Sequence, residues 1–158
     1  MTPPTLALVV DVSKGNRNNL YHFVYAIKEF IKQLTAKDFY QILLVTFDKH
    51  VHYYDLVGDE TKKIIMVDEP HHVRDIEILG RVEDKLLDIL DSLEQQAEDS
   101  VFTEGSAMFE ALEFACKACA PYCGRILVCA KLNGKHSAMQ YEAPPNVRPD
   151  SLDAHRAL

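Results

Sequence analysis

Two side chains that could hold a metal ion follow the first apolar stretch of the sequence. Asp11 and Ser13 come directly after residues 6–10, an unbroken apolar run. Carboxylate and hydroxyl oxygens are the ligands that hard divalent cations prefer. Thr103 or Ser106 could supply a third oxygen if the fold brings their loop to the same place. The first hypothesis is therefore an ion site built on Asp11.

Two further positions oppose this ion site. Gly15 stands where a second hydroxyl of the opening turn would be needed, and the last strand runs into residues 131–133, Lys-Leu-Asn, without an acid. Lys14 and Lys131 would add positive charge beside a cation. We interpret Asp11, Ser13 and Ser106 as remnants of an ion site that now hold a turn and a helix start. No metal is expected.

Zinc is the alternative suggested by four clustered cysteines. Structural zinc takes four ligands, which commonly come from two pairs of Cys or His residues. Two of these cysteines fall inside an amphipathic helix pattern, and no second pair has matching spacing. The pattern favours small hydrophobic core residues. The four are Cys116, Cys119, Cys123 and Cys129.

The histidines and the serines indicate no catalytic site. His50 and His52 would share one strand face, and His71 and His72 fall in a loop, so surface positions or partner contacts are favoured over a metal site. Ser106 lies in Thr-Glu-Gly-Ser-Ala, which is not a Gly-x-Ser-x-Gly nucleophile turn. No phosphate-binding loop is present either. We predict no enzyme and no cofactor.

The composition is that of one globular domain with an acidic surface. The chain has 158 residues and a net charge of −7, with Lys and Arg scattered among acids. Nucleic acid or an anionic bilayer would need a basic patch, so neither is an expected direct partner. The start Met-Thr-Pro-Pro-Thr lacks the features of a signal peptide, and the clustered cysteines are not a secreted disulfide framework. A cytoplasmic location fits best.

The hydrophobic periodicity predicts the order β-α-β-β-β-α-α-β. We expect an open, mainly parallel sheet with one antiparallel edge hairpin and helices on both faces, one or two strands short of a doubly wound domain. The opening turn, the 103–106 loop and the 131–134 turn would meet at the carboxyl ends of the strands. The predicted strands are residues 6–10, 39–47, 51–56, 61–67 and 125–132, and the helices are residues 20–34, 82–97 and 106–120.

The order of these pieces resembles a von Willebrand factor A-like domain. More narrowly, it resembles the trunk domain of the cargo-selecting adaptor subunit of the COPII vesicle coat, in the Sec23/Sec24 family. The similarity covers residues 4–145, which we take as a partial trunk domain; residues 146–158 would be a polar, proline-containing tail that starts a further helix. The matching motifs are Phe47-Asp48, His52-Tyr53-Tyr54, Ile65-Met66-Val67-Asp68, Gly105-Ser106-Ala107-Met108 and Cys123-Gly124-Arg125.

The resemblance implies a three-layer sandwich and a non-catalytic role. Such a module would pair with the sister coat subunit in transport from the endoplasmic reticulum to the Golgi. It would meet cargo through the full-length protein, and membrane only peripherally, at exit sites and on vesicles. The family's zinc finger, β-sandwich, helical and gelsolin-like modules are not in these residues. Whether the chain is a fragment, a truncated product or a compact variant stays open. Alternatives are a metal-dependent ligand-binding domain and an enzyme on the same sheet.

Overall fold

In the part of the chain that the structure describes, a six-stranded sheet organises the fold. The computed structural model describes residues 3–57, 62–66, 76–122 and 124–131. The sheet order is β4-β3-β2-β1-β6, and the short β5 pairs with β2 beside this path. The strands are β1 Thr5–Asp11, β2 Gln41–Phe47, β3 Val51–Asp55, β4 Lys62–Met66, β5 Glu77–Ile78 and β6 Gly124–Cys129, and the helices are α1 Arg17–Gln33, α2 Leu79–Asp99 and α3 Met108–Cys119.

The centre of the sheet is parallel, as the apolar runs predict. β1 pairs along its whole length with β2, from Thr5 beside Gln41 to Asp11 beside Phe47, and pairs in parallel with β6 on its other side. β3 runs antiparallel to β2, and β4 antiparallel to β3, so four of the six strands point the same way. Residues 7–10 are fully buried because both sheet faces are covered there. The predicted α/β class is confirmed.

Three helices complete the layers. α1 and α2 cover one face, where Leu20, Val24 and Ile31 of α1 recur at helical spacing and pack into the larger core. α3 covers the opposite face through Ala111 and Phe114. The two apolar clusters lie on opposite sides of β1, so the sheet is the middle layer of a sandwich. No helix in these described ranges is long and apolar enough to cross a membrane.

The predicted element boundaries were wrong at three places. β3 is not an edge strand, because it lies between β2 and β4 with its first four residues buried. Between the predicted strand 61–67 and helix 82–97, where no element was predicted, residues 76–81 contain β5 and the first turn of α2, which begins at Leu79, whose N–H donates to the Tyr40 carbonyl. Ser106 is not the cap of α3, since Ala107 occupies that position and Ser106 is exposed.

β6 differs from the predicted buried strand. Leu127 and Val128 are 42% and 41% exposed, and β6 is the last strand on its side of the sheet formed by the described residues. Their apolar character is that of an interior strand rather than of an edge strand, which charges or proline normally protect. The predicted tail, residues 146–158, lies outside the described residues. The boundary at residue 145 therefore stays a prediction.

Candidate functional site

The turn after β1 holds the residues of the predicted ion site. Asp11 and Ser13 are 2% and 1% exposed. Asp11 Oδ1 accepts a hydrogen bond from the Ser13 backbone N–H at 2.8 Å, and this closes a tight Asx turn. β1 positions the carboxylate at the carboxyl end of the sheet, opposite Phe47 of β2. Asp11 and Ser13 thus lie together, and the Asp11 carboxylate accepts a hydrogen bond from the backbone of its own turn.

Asn16, which occupies the N-cap position of α1, joins two elements through its side chain. It is fully buried, and its Nδ2 donates to the Asp11 carbonyl at 2.7 Å. Its Oδ1 accepts from Asn19 Nδ2 at 3.0 Å, and its side chain makes no hydrogen bond to the first backbone N–H groups of α1. The side chain therefore joins the end of β1 to the start of α1. A buried amide needs partners of this kind.

The loop before α3 packs directly on this turn. The backbone N–H of Lys14 donates to the Phe102 carbonyl at 2.9 Å, and that of Gly15 donates to the Thr103 carbonyl at 3.0 Å. A Cβ on residue 15 would lie 2.4 Å from the Thr103 oxygen, which explains why glycine occupies this position. Gly15 stands where the ion site would need a hydroxyl, and any side chain there would displace the loop before α3.

Gly105 closes the site over the Asp11 carboxylate. A Cβ on residue 105 would lie 2.6 Å from Asp11 Cγ and from both carboxylate oxygens. A cation bound to Asp11 would have to enter against this glycine, which is itself buried. Thr103 and Ser106, the other candidate ligands, are exposed, whereas Asp11 is buried. The 103–106 loop reaches the carboxyl end of β1, and its backbone occupies the space beside the Asp11 carboxylate.

A second polar cluster lies at the turn between β2 and β3. Asp48 Oδ1 accepts from the His50 N–H at 2.9 Å, and the Asp48 carbonyl accepts from the Ala107 N–H at 3.0 Å, which ties this turn to the start of α3. His52 is 4% exposed, and its Nδ1 lies 3.1 Å from Thr46 Oγ1. His50 is exposed and precedes β3, whereas His52 is buried within it, so the prediction that both lie on one strand face at the surface was wrong.

His52 is neutral at physiological pH. Burial is the main cause that lowers its pKa to about 4, the charges of Lys63 and His50 add to this effect, and Asp48 opposes it. The 3.7 Å contact from His52 Nε2 to Asp48 Oδ1 is therefore not an ion pair at neutral pH. Thr46 is fully buried beside it, so this hydroxyl and imidazole are closed to a substrate.

The cysteines do not form a metal centre in the part of the chain that is described. Cys119 packs in the core under α3, and Cys129 packs in the core on the opposite sheet face. Burial raises the pKa of both thiols, which disfavours the thiolate that zinc requires. Cys116 is exposed, and Cys123, His71 and His72 lie outside the described residues. No group of three metal-ligating side chains occurs in these ranges.

Comparison with known proteins agrees with this geometry. A model of the Sec23/Sec24 trunk domain matches residues 1–139. Among solved structures, the fold matches that of the human COPII-coat protein Sec24c with a TM-score of 0.65 and 15% sequence identity, covering 80% of this chain and 19% of that one. No curated protein matches the sequence. Since the family model covers most of the chain, this protein belongs to the Sec23/Sec24 trunk domain family.

Proposed function

We propose that this chain is a non-catalytic protein-interaction module of a COPII cargo-adaptor subunit. The observation that carries the proposal is the trunk-domain match over residues 1–139, because the trunk is a piece of a coat protein rather than of an enzyme. The Sec24c fold match agrees with it. This chain spans about one fifth of that Sec24c chain, so the whole-protein role is inferred from a part.

The geometry at the carboxyl ends of the strands supports a structural rather than a chemical role. Family folds of this kind gather their sites at that edge. Here the Asp11 carboxylate holds the Ser13 N–H and faces Gly105. His52 and Thr46, the nearest candidates for a base and a nucleophile, are buried and bonded to each other. Each of these polar groups has a partner inside the fold.

The partner under this proposal is the sister subunit of the inner coat. Together the two subunits would act in transport from the endoplasmic reticulum to the Golgi, in the cytoplasm, at exit sites and on vesicles. Cargo would be met by the full-length protein, and the membrane only through the assembled coat. The net charge of −7 supports the absence of direct lipid or nucleic-acid binding. The trunk would extend over residues 4–145, followed by the 146–158 tail.

A pull-down with the purified sister subunit tests this function. The full chain is immobilised after its cooperative unfolding has been checked, and the sister subunit is added with increasing amounts of full-length cargo subunit as competitor. We expect binding that the competitor removes, because both would use one surface. A folded chain that fails to retain the sister subunit, or retention that the competitor leaves unchanged, contradicts the proposal.

The second candidate is a metal-dependent ligand-binding domain, favoured by the adjacent and buried Asp11 and Ser13. Titration with magnesium or manganese, followed by calorimetry, separates the two functions. The coat proposal predicts no binding heat, because Gly105 covers the carboxylate. A heat that is present in the wild-type chain, lost in Asp11→Ala and kept in Asp38→Ala would establish the metal-dependent function instead. Asp38 is an exposed acid and serves as the control.

A further inference from the structure

An apolar cavity of about 430 Å³ opens at the amino ends of the strands, the opposite end of the sheet from Asp11. β1, the start of β2, α1 and the first residue of α2 form its walls. Its volume falls within the range of small-molecule sites, roughly 300–1,000 Å³. The residues that line it include Leu8, Ile31, Leu79, Phe30, Leu34 and Arg125.

The cavity runs from the protein surface to the core. Leu8, Ile31 and Leu79 line it, and each is at most 2% exposed. Phe30 and Arg125 also line it, and both are exposed, with Phe30 at 50%. A ligand that enters beside Phe30 would therefore bury an apolar body against side chains that already exclude water.

One charge marks the mouth of the cavity. Thr5 and Gln41 line it too, but Thr5 Oγ1 donates to Gln41 Oε1 at 2.9 Å, and Gln41 Nε2 donates to the Ile76 carbonyl at 3.3 Å. Arg125 is the only charged lining residue, and no described residue forms an ion pair or a side-chain hydrogen bond with it. On a chain with a net charge of −7, a guanidinium that pairs with no acid of the described residues is a local exception.

We propose that this cavity binds a straight-chain aliphatic carboxylate of medium length. The alkyl chain would lie against Leu6, Phe30 and Leu34, the accessible apolar side chains of the lining, over the buried floor of the cavity. The carboxylate would stay at the mouth and pair with Arg125, whose planar fork matches two carboxylate oxygens. Charge complementarity selects an anion over an alcohol of the same length. This inference is independent of the coat function.

Calorimetry with sodium decanoate tests the proposal on the full chain. We expect saturable binding that strengthens about fourfold per methylene from hexanoate through octanoate to decanoate. Decanol, which keeps the chain and lacks the charge, should bind roughly tenfold or more weakly. Arg125→Gln should weaken decanoate binding by a similar factor and leave decanol unchanged. Arg81→Gln serves as the matched control, because Arg81 is exposed and does not line the cavity.

A cavity-filling variant gives an independent measurement. Leu34 lines the cavity and is half-buried, so Leu34→Trp should weaken decanoate and decanol alike while the chain still unfolds cooperatively. The proposal is overturned if the folded wild-type chain does not bind decanoate. It is equally overturned if affinity does not depend on chain length, or if Arg125→Gln and Arg81→Gln behave the same.

Discussion

Replacing Gly105 by alanine tests whether the loop before α3 really closes on Asp11. The new Cβ would lie 2.6 Å from Asp11 Cγ, Oδ1 and Oδ2, well inside van der Waals contact. Asp11 cannot move freely, because its Oδ1 holds the Ser13 N–H at 2.8 Å and its carbonyl holds Asn16. Either the loop moves away or the carboxylate leaves its hydrogen bond. Both responses cost folding free energy.

The two responses set the magnitude of the effect. Forcing extra atoms into a packed site costs about 1–3 kcal/mol. Losing a hydrogen bond to the buried carboxylate of Asp11 costs about 1.5–3 kcal/mol. Since only one of the two responses is needed, we expect Gly105→Ala to lower the free energy of unfolding by about 1–3 kcal/mol. With a urea slope of about 2 kcal/mol per molar, the midpoint should fall by roughly 0.5–1.5 M.

Equilibrium unfolding in urea measures this loss, and Gly80→Ala is its matched control. A Cβ on Gly80 would also approach an aspartate, at 2.1 Å from Asp38 Oδ1. Asp38 is exposed and can rotate away, and residue 80 lies in the first turn of α2, where alanine is favoured by up to about 1 kcal/mol. We expect Gly80→Ala to be neutral or stabilising. Two glycines that each face a carboxylate should thus respond in opposite directions.

A double-mutant cycle with Asp11→Ala identifies the cause. If the clash is with the carboxylate, Gly105→Ala should cost at least about 1 kcal/mol less in the Asp11→Ala background. Costs that add independently would show that the alanine acts elsewhere in the loop. An unchanged midpoint for Gly105→Ala alone would refute the reasoning, because a carboxylate 2.6 Å from the new atom could not be accommodated without loss.

Two further predictions concern His52 and the difference between a buried leucine, Leu90, and an exposed one, Leu127. Burial lowers the folded-state pKa of His52 to about 4, so the unfolded chain binds the proton first as the pH falls. The free energy of unfolding should be full above pH 6.5 and fall by about 2 kcal/mol between pH 7 and pH 5. Urea unfolding should show a smaller loss in His52→Gln and an unchanged loss in the exposed control His50→Gln. A fall of equal size in His52→Gln would contradict the assignment. In the same assay, Leu90→Ala should lower the free energy of unfolding by about 2–5 kcal/mol, because Leu90 is fully buried. Leu127→Ala should lower it by under about 1 kcal/mol, because Leu127 is 42% exposed. Equal losses would contradict the layer assignment.

Hydrophobic periodicity predicted the main elements because burial leaves a local pattern. Residues 6–10 form an unbroken apolar run and are buried between two helix layers, and α1 shows its buried face as Leu20, Val24 and Ile27. These positions are set by short-range spacing along one element. The class of fold and the family resemblance follow from the order of such elements, and both are confirmed.

Contacts between distant residues left no such pattern. β5 has two residues, too few for a periodicity, and it is held by pairing with β2 about 35 positions earlier. Asn16 occupies the N-cap position of α1, yet its side chain donates to the carbonyl at the end of β1. The approach of Gly105 to Asp11 joins positions more than ninety residues apart, and only the fold reveals why the ion site is closed. The sequence feature that could have indicated this closure is a glycine in each of the two segments, Gly15 after β1 and Gly105 before α3.

The central position of β1 has a consequence for synthesis on the ribosome. β1 can pair with β2 as soon as residue 47 emerges, but its other edge pairs with β6, which is complete only at residue 129, about 80 residues later. At about 5–20 residues per second, that edge waits roughly 4–16 s after β2 has formed. During this interval β1, whose residues 6–10 are all apolar, offers free N–H and C=O groups to other chains. We expect nascent chains to be most prone to aggregation in that window, and to depend then on chaperones that cover the β1 edge.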